Sequence, residues 1–181
     1  MTGPAAGRIE TERLVLEPLA VEHAEEMAEV LGDPRLHAFI GGSPLSVEEL
    51  RTRYARLVGG PPAGRDESWL NWVVRQREDG QLVGTVQATV ASGTEAALAW
   101  VIGTPWQGRG FAAEAARALA AWFDARDIAV TANIHPDHVA SAAVASAAGL
   151  VATTEVAEGE VVWRRAVDPT RDGRSPDPNA S

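Results

Sequence analysis

The sequence predicts a mixed α+β domain, with a largely antiparallel central sheet, flanking helices and one parallel β-α-β unit. Three observations lead there. Stretches whose apolar residues alternate at period two are interleaved with stretches at the helical period of 3.6. Two of the links between strands carry Asp-Gly or Glu-Gly, dipeptides that suit hairpins and so make their strands antiparallel. The link between residues 102 and 130 instead contains a long amphipathic helix. A strand-helix-strand unit of that kind closes with parallel strands and a right-handed crossover.

In chain order, RLVLEPL (13–19) alternates as a strand, and VEHAEEMAEVLGDP (21–34) carries Val21, Ala24, Met27, Ala28 and Leu31 at helical spacing up to Gly32 and Pro34. Ser46, with Glu49 three residues later, is a capping-box signature for a second helix striped by Val47, Leu50, Tyr54, Leu57 and Val58. GGPPAGRDE ends it. Residues 69–90 read as two strands around Asp79-Gly80, and 96–102 (AALAWVI) as a mostly apolar strand buried on both faces. Phe111, Ala115, Leu119, Trp122 and Phe123 then share one side of a helix. VTANI (130–134) is a short strand, Asp137 caps a helix over 138–148, Gly149 ends it, and Glu158-Gly159 turns a final hairpin. The order is β-α-α-β-β-β-α-β-α-β-β. One domain over 8–167 is expected, with 1–7 and 168–181, rich in Gly, Pro, Asp and Ser, as mobile tails.

Composition narrows the function. At 181 residues and 45% apolar content the chain can bury a core of ordinary size. It has no cysteine, hence no thiolate nucleophile and no cysteine-based zinc site, and no lysine, hence no Walker-type P-loop and no lysine Schiff base. All sixteen basic residues are arginines, a bias that suits genome composition better than a functional demand. A formal charge of −9 argues against nucleic acid as a partner and suits a cationic or amine-bearing one. No apolar run reaches the roughly 20 residues of a membrane span, and MTGPAAGRIE lacks the features of a signal peptide; a cytoplasmic protein with no membrane partner is expected.

The most informative stretch is TPWQGRGFAAEAARALAAWF (104–123), in which a glycine-bearing turn runs into the amphipathic helix. A helix start exposes unpaired amides at the positive end of the macrodipole, and a turn without Cβ atoms can wrap them around an anion. Gly108 and Gly110 supply that freedom, and Arg109 could add a contact to a phosphate. Two other readings stand beside this one. The glycines can serve the turn alone. GRGFAA also fits G-x-G-x-x-A, but a dinucleotide site needs an acidic residue at the end of the next strand, where this chain has Asn133.

QGRGFA (Gln107–Ala112) resembles the Q/R-x-x-G-x-G/A signature with which the GNAT acetyltransferase superfamily binds the pyrophosphate of acetyl-CoA. ETERLVLEPL, the strand into IGTPWQGRGFAAEA, and IHPDHVASAAVASAAGL are similar, in that order, to its RimJ/RimL-like branch, over about residues 8–166. That resemblance implies acetyl-CoA as cosubstrate, cradled by the amides of Gln107, Gly108, Arg109, Gly110, Phe111 and Ala112. It further implies that Trp100, Val101 and Ile102 bond the pantetheine arm through main-chain groups, entering where their strand diverges from 130–134. Two departures are present: His138 stands where the family usually has asparagine, and Ala145 where many relatives have the tyrosine that protonates the leaving thiolate. An imidazole can still donate one hydrogen bond to a pantetheine carbonyl. Ser141 keeps the family's serine position and is the candidate for assisting thiolate departure.

Without cysteine, the simplest route is direct attack of a substrate amine on the thioester, with the oxyanion stabilised by an amide near Val101 or Ile102. Glu95 is the candidate general base, with Glu155, Glu160 or a bound water as competitors. His135 and His138, three apart, lack a third ligand, and no metal is expected. Phe39, Trp72 and Trp100 are expected to wall an acidic acceptor pocket that favours a cationic amine. The acceptor is a small amine or a peptide N-terminus, and the protein a monomer or homodimer. The alternative function is a non-catalytic acetyl-CoA-binding module, motivated by His138 and Ala145.

Overall fold

The structure, a computed structural model, describes residues 3–165; residues 1–2, the end of the expected domain and the expected tail 168–181 lie outside them. The elements are β1 (Ile9–Glu10), β2 (Leu14–Pro18), α1 (Ala24–Val30), α2 (His37–Ile40), α3 (Val47–Gly59), β3 (Glu67–Gln76), β4 (Leu82–Ala91), β5 (Glu95–Ile102), α4 (Phe111–Asp124), β6 (Ala129–Ile134), α5 (Val139–Ala147), β7 (Leu150–Ala157) and β8 (Glu160–Arg165). The strands form one eight-stranded sheet in the order β1-β2-β3-β4-β5-β6-β8-β7, antiparallel except for the β5–β6 pair. The expected fold class is the observed one.

Each sheet face carries its own core. Strand pleating sends Leu70, Trp72 and Val74 of β3 toward α4, where they meet Phe111, Leu119 and Phe123, while Val73 points the other way, into a cluster with Met27, Leu50, Tyr54 and Leu82 under α1 and α3. The capping box of α3 forms as expected: Glu49 N–H donates to Ser46 Oγ at 3.2 Å and Ser46 N–H to Glu49 Oε2 at 2.8 Å. The β7–β8 hairpin turns on Glu158 and Gly159 with φ of 52° and 83°, two consecutive positive values that match the twist of the strands.

Four local expectations are corrected. Residues 3–7 are no tail, since Ala6 packs on the core and the Gly7 carbonyl accepts the Trp72 indole N–H at 2.8 Å. The strand expected over 13–19 is present as β2, and an additional two-residue strand, β1, precedes it and pairs with it. A short helix, α2, occupies the segment between α1 and α3. The N-cap of α5 is His138 and not Asp137, which lies two residues before the helix starts and whose N–H is tied back to His135 Nδ1 at 3.1 Å.

Candidate active site

The site begins where the sheet opens. β5 and β6 stay paired from Glu95/Ala129 only as far as Leu98/Ala132, so the strands part at their C-terminal ends. Ala129 N–H donates to the Thr94 carbonyl at 2.9 Å on the β6 side, and Gly103 N–H donates to the Val83 carbonyl at 2.8 Å on the β4 side. Backbone groups of a strand alternate, so even-numbered residues of β5 face β6 and odd-numbered ones face β4. The main-chain groups of Trp100 and Ile102 therefore point into the opening. The Ile102 carbonyl accepts the Gln107 side-chain amide at 3.0 Å, which leaves Trp100 N–H, Trp100 C=O and Ile102 N–H directed at the split. Val101 turns its main-chain groups to β4 and meets the opening with its side chain alone, which corrects the expectation of a main-chain contact there.

At the far end of β5 lies the glycine turn. Gly108 and Gly110 adopt φ of +75° and +79°, and Gly110 is the left-handed N-cap of α4. A Cβ at Gly108 would meet nothing within 4 Å, so the turn is open on that side. Intrahelical bonding begins with Glu114 N–H on the Gly110 carbonyl, which leaves the amides of Phe111, Ala112 and Ala113 free at the head of a fourteen-residue helix. Gln107 differs from its expected part: its N–H already donates to the Thr104 carbonyl at 3.3 Å, so it ties the turn to β5. The turn is braced from outside by Arg13, whose guanidinium donates to the Arg109 carbonyl at 2.8 Å and to Glu114 at 2.7 Å and lies 4.7 Å from the Phe111 ring centre.

Two cavities meet over the split. A cleft of about 700 Å³ runs from Gly108, Gly110, Phe111 and Ala112 to Trp100. A second, of about 600 Å³, lies on the α1–α3 side, bounded by Tyr54, Asn71, Gln87 and Glu160. Phe39, Trp100, Val101, His138 and Ser141 line both and form their junction. Phe39 lies flat on His138 with ring centres 4.0 Å apart. Burial, reinforced by the nearby His135, holds the His138 pKa below its ordinary value, so the ring is neutral near pH 7.

Other expected site residues fall elsewhere. Glu95 begins β5 at its paired end and is held by Arg164 at 2.8 Å; Arg164 also holds Glu155 at 3.0 Å. Glu95 is some five residues along an extended strand from the split, about 17 Å away, and is no base for chemistry there. Trp72 borders the acceptor cavity as expected, but its side chain is fully buried in the core on the α4 face and its indole N–H donates to the Gly7 carbonyl, so it offers the acceptor no exposed ring. The Arg109 side chain is not on the cleft wall. The acceptor cavity is not acidic: among the described residues Glu160 is its only lining carboxylate, against one guanidinium, Arg53. Arg53 and Tyr54 carried no site role in the sequence reading, because a helical stripe identifies the buried face but not the cavity beside it. Among the described residues no group of three or more His, Asp or Glu is placed to hold a metal ion, and no helix is long and apolar enough to cross a membrane.

The open glycine turn, the free helix amides and the cleft leading to unpaired strand groups fit an elongated ligand with an anionic end, as CoA is. Residues 13–151 match the family model described as an acetyltransferase (GNAT) domain. No curated protein sequence matches the chain. Among solved structures, RimL, a ribosomal L7/L12 alpha-N-protein acetyltransferase in complex with coenzyme A, is 17% identical, with 90% of this chain and 99% of that one covered at a TM-score of 0.73. The Salmonella typhimurium acetyltransferase that modifies the N-terminal serine of the 50S subunit protein L7/L12 is 17% identical, covering 90% and 100% at 0.72. An acetyltransferase from Agrobacterium tumefaciens is 23% identical, covering 92% and 98% at 0.68. At such identities these neighbours share the fold, while the family model spans most of the sequence: the chain belongs to the GNAT acetyltransferase family.

Proposed function

We propose that the protein transfers the acetyl group of acetyl-CoA directly to a primary amine, of a small molecule or of a peptide N-terminus. One observation supports this above the others: the cleft from the glycine turn and the cavity beside α3 meet at Trp100, His138 and Ser141, over strand groups with no partner in the sheet. A donor bound in one and an acceptor in the other would touch only there.

Bound acetyl-CoA supplies an acetyl group activated as a thioester. The amides of Gly108, Arg109, Gly110, Phe111 and Ala112 hold the pyrophosphate. Trp100 main-chain groups orient the pantetheine arm, and neutral His138 donates one N–H to it. Ile102 N–H, directed into the split, is the donor for the carbonyl oxygen as charge develops there. Ser141, in the first turn of α5 and on the walls of both cavities, gives a proton to the departing sulfur. Glu160, the carboxylate of the acceptor cavity, takes the proton of the amine, directly or through a water. Positioning two reactants in this way lowers a barrier by about 7–11 kcal/mol in favourable cases.

The test is CoA release with a panel of primary amines and N-terminal peptides. Release that depends on the amine supports the reading. Background release with every acceptor, in protein that binds acetyl-CoA, would replace it with a non-catalytic binding module.

A further inference from the structure

A chain of formal charge −9 would be expected to present an acidic basin to an amine. The acceptor cavity is different: among the described residues its wall carries Glu160 and Arg53 as its only charged groups of fixed sign, with neutral Asn71, Gln87 and Asn133 beside them. On α3, Arg51 is neutralised by Glu48 and Glu25. Arg53, two positions on, pairs with no carboxylate among the described residues. An unpaired guanidinium at a cavity is a fork of donors suited to a carboxylate. Its neighbour Tyr54, also on the cavity wall, is 3% exposed and buries a hydroxyl that has no hydrogen-bond partner among the described residues. A buried donor without a partner is uncommon and calls for one.

We propose that the acceptor is a zwitterion, a primary amine that also carries a carboxylate, with the amine toward Glu160 and the junction and the carboxylate on Arg53, Tyr54 serving as a second donor. The orientation rests on the acetyl-transfer reading; the charge pairing does not. A purely cationic amine would find one carboxylate and a repelling guanidinium. The carboxylate can belong to a free amino acid or to an acidic side chain in a peptide.

Binding to the CoA-loaded protein is measured with two pairs of probes, β-alanine against its amide and Ala-Glu amide against Ala-Lys amide, and acetyl transfer to each is followed in parallel. The expected result is that the carboxylate partner of at least one pair binds roughly tenfold more tightly, since a hydrogen bond to a charged group is worth about that much. The first pair responding identifies an amino acid, the second an acidic peptide. Arg53→Gln removes the preference, Arg53→Glu turns the second pair toward Ala-Lys amide, and Tyr54→Phe weakens the preference without abolishing it. Arg53 is exposed, so its replacement spares the fold. Equal or absent binding of both partners in both pairs, or a preference that survives Arg53→Gln, overturns the proposal. A preference dependent on Arg53 without acetylation of any probe would remove the transfer reading and keep the zwitterion site. Acetylation indifferent to the carboxylate would do the reverse.

Discussion

Phe39 and His138 stack face to face, ring centres 4.0 Å apart and planes 2° from parallel, and so join α2 to the start of α5 across the meeting point of the two cavities. Phe39 is 47% exposed, so the contact covers the histidine more than it buries the phenylalanine. His135 completes the group, tilted against Phe39 at 6.1 Å.

That cover sets a pH dependence. Burial first, and His135 second, lower the His138 pKa below its ordinary value. The unfolded chain therefore takes up the proton before the folded one, and this residue's contribution to stability falls as pH drops from the ordinary histidine range, about 6.5, to the lower folded value. NMR titration of the ring should show the depressed pKa, and Phe39→Ala should move it up toward the ordinary value. An unchanged midpoint in Phe39→Ala would show that the stack does not shield the ring.

Gly110, at φ +79°, occupies a conformation that an L side chain adopts at a cost, and an added Cβ would also crowd the Arg13 guanidinium at 3.4 Å. Gly110→Ala should lower stability by about 1–2 kcal/mol in urea unfolding. Gly59, the last residue of α3, with open space where a Cβ would stand and no positive φ, is the control: Gly59→Ala should raise stability by about 0.4–1 kcal/mol.

Glu114 accepts from Thr11 Oγ1 at 2.7 Å, Arg13 N–H at 2.8 Å and the Arg13 guanidinium at 2.7 Å. Burial pulls its pKa up, but these bonds together outweigh it and hold the carboxyl below the ordinary glutamate value. A depressed carboxyl stabilises above its unfolded pKa and loses that contribution as pH falls through the folded one. Glu114→Gln should therefore cost about 1–3 kcal/mol near neutrality, and the gap to wild type should close in acid. A gap of constant size from pH ~7 to pH ~3 would show that the charge contributes nothing.

Three carboxylates separate by place. Glu160→Gln should lower kcat for acetyl transfer by roughly 10²–10⁴ near neutral pH, the range for a general base. Glu95→Gln and Glu155→Gln, which loosen Arg164 away from the split, should leave kcat within about twofold, as changes remote from the reacting atoms do. A large loss in Glu95→Gln with Glu160→Gln intact would reverse the assignment.

Much of this was legible in the residues. Period and turn chemistry located the strands, the two long helices, the capping box at Ser46 and the Glu158-Gly159 hairpin, because those signals are local. The glycine turn was legible for the same reason, since positive φ selects glycine at 108 and 110. What failed depended on distance. Glu95 heads the right strand but stands at its paired end, and where two parallel strands part is decided by the whole sheet. Trp72 lies one residue from the other face, and only the register shows which side of the pleat it takes. Arg53 and Tyr54 read as helix surface and core until α3 is placed beside the opened strands.

The central claim is that the glycine turn holds acetyl-CoA, and the most direct measurement is the change in unfolding temperature on adding excess acetyl-CoA to wild type and to Gly110→Trp. Ligand at a hundred times its Kd adds about 2.7 kcal/mol of stability. The account predicts a clear upward shift in wild type and none in the variant, with circular dichroism confirming that the variant is folded. A folded wild type that does not shift, or a folded variant that shifts equally, would contradict it.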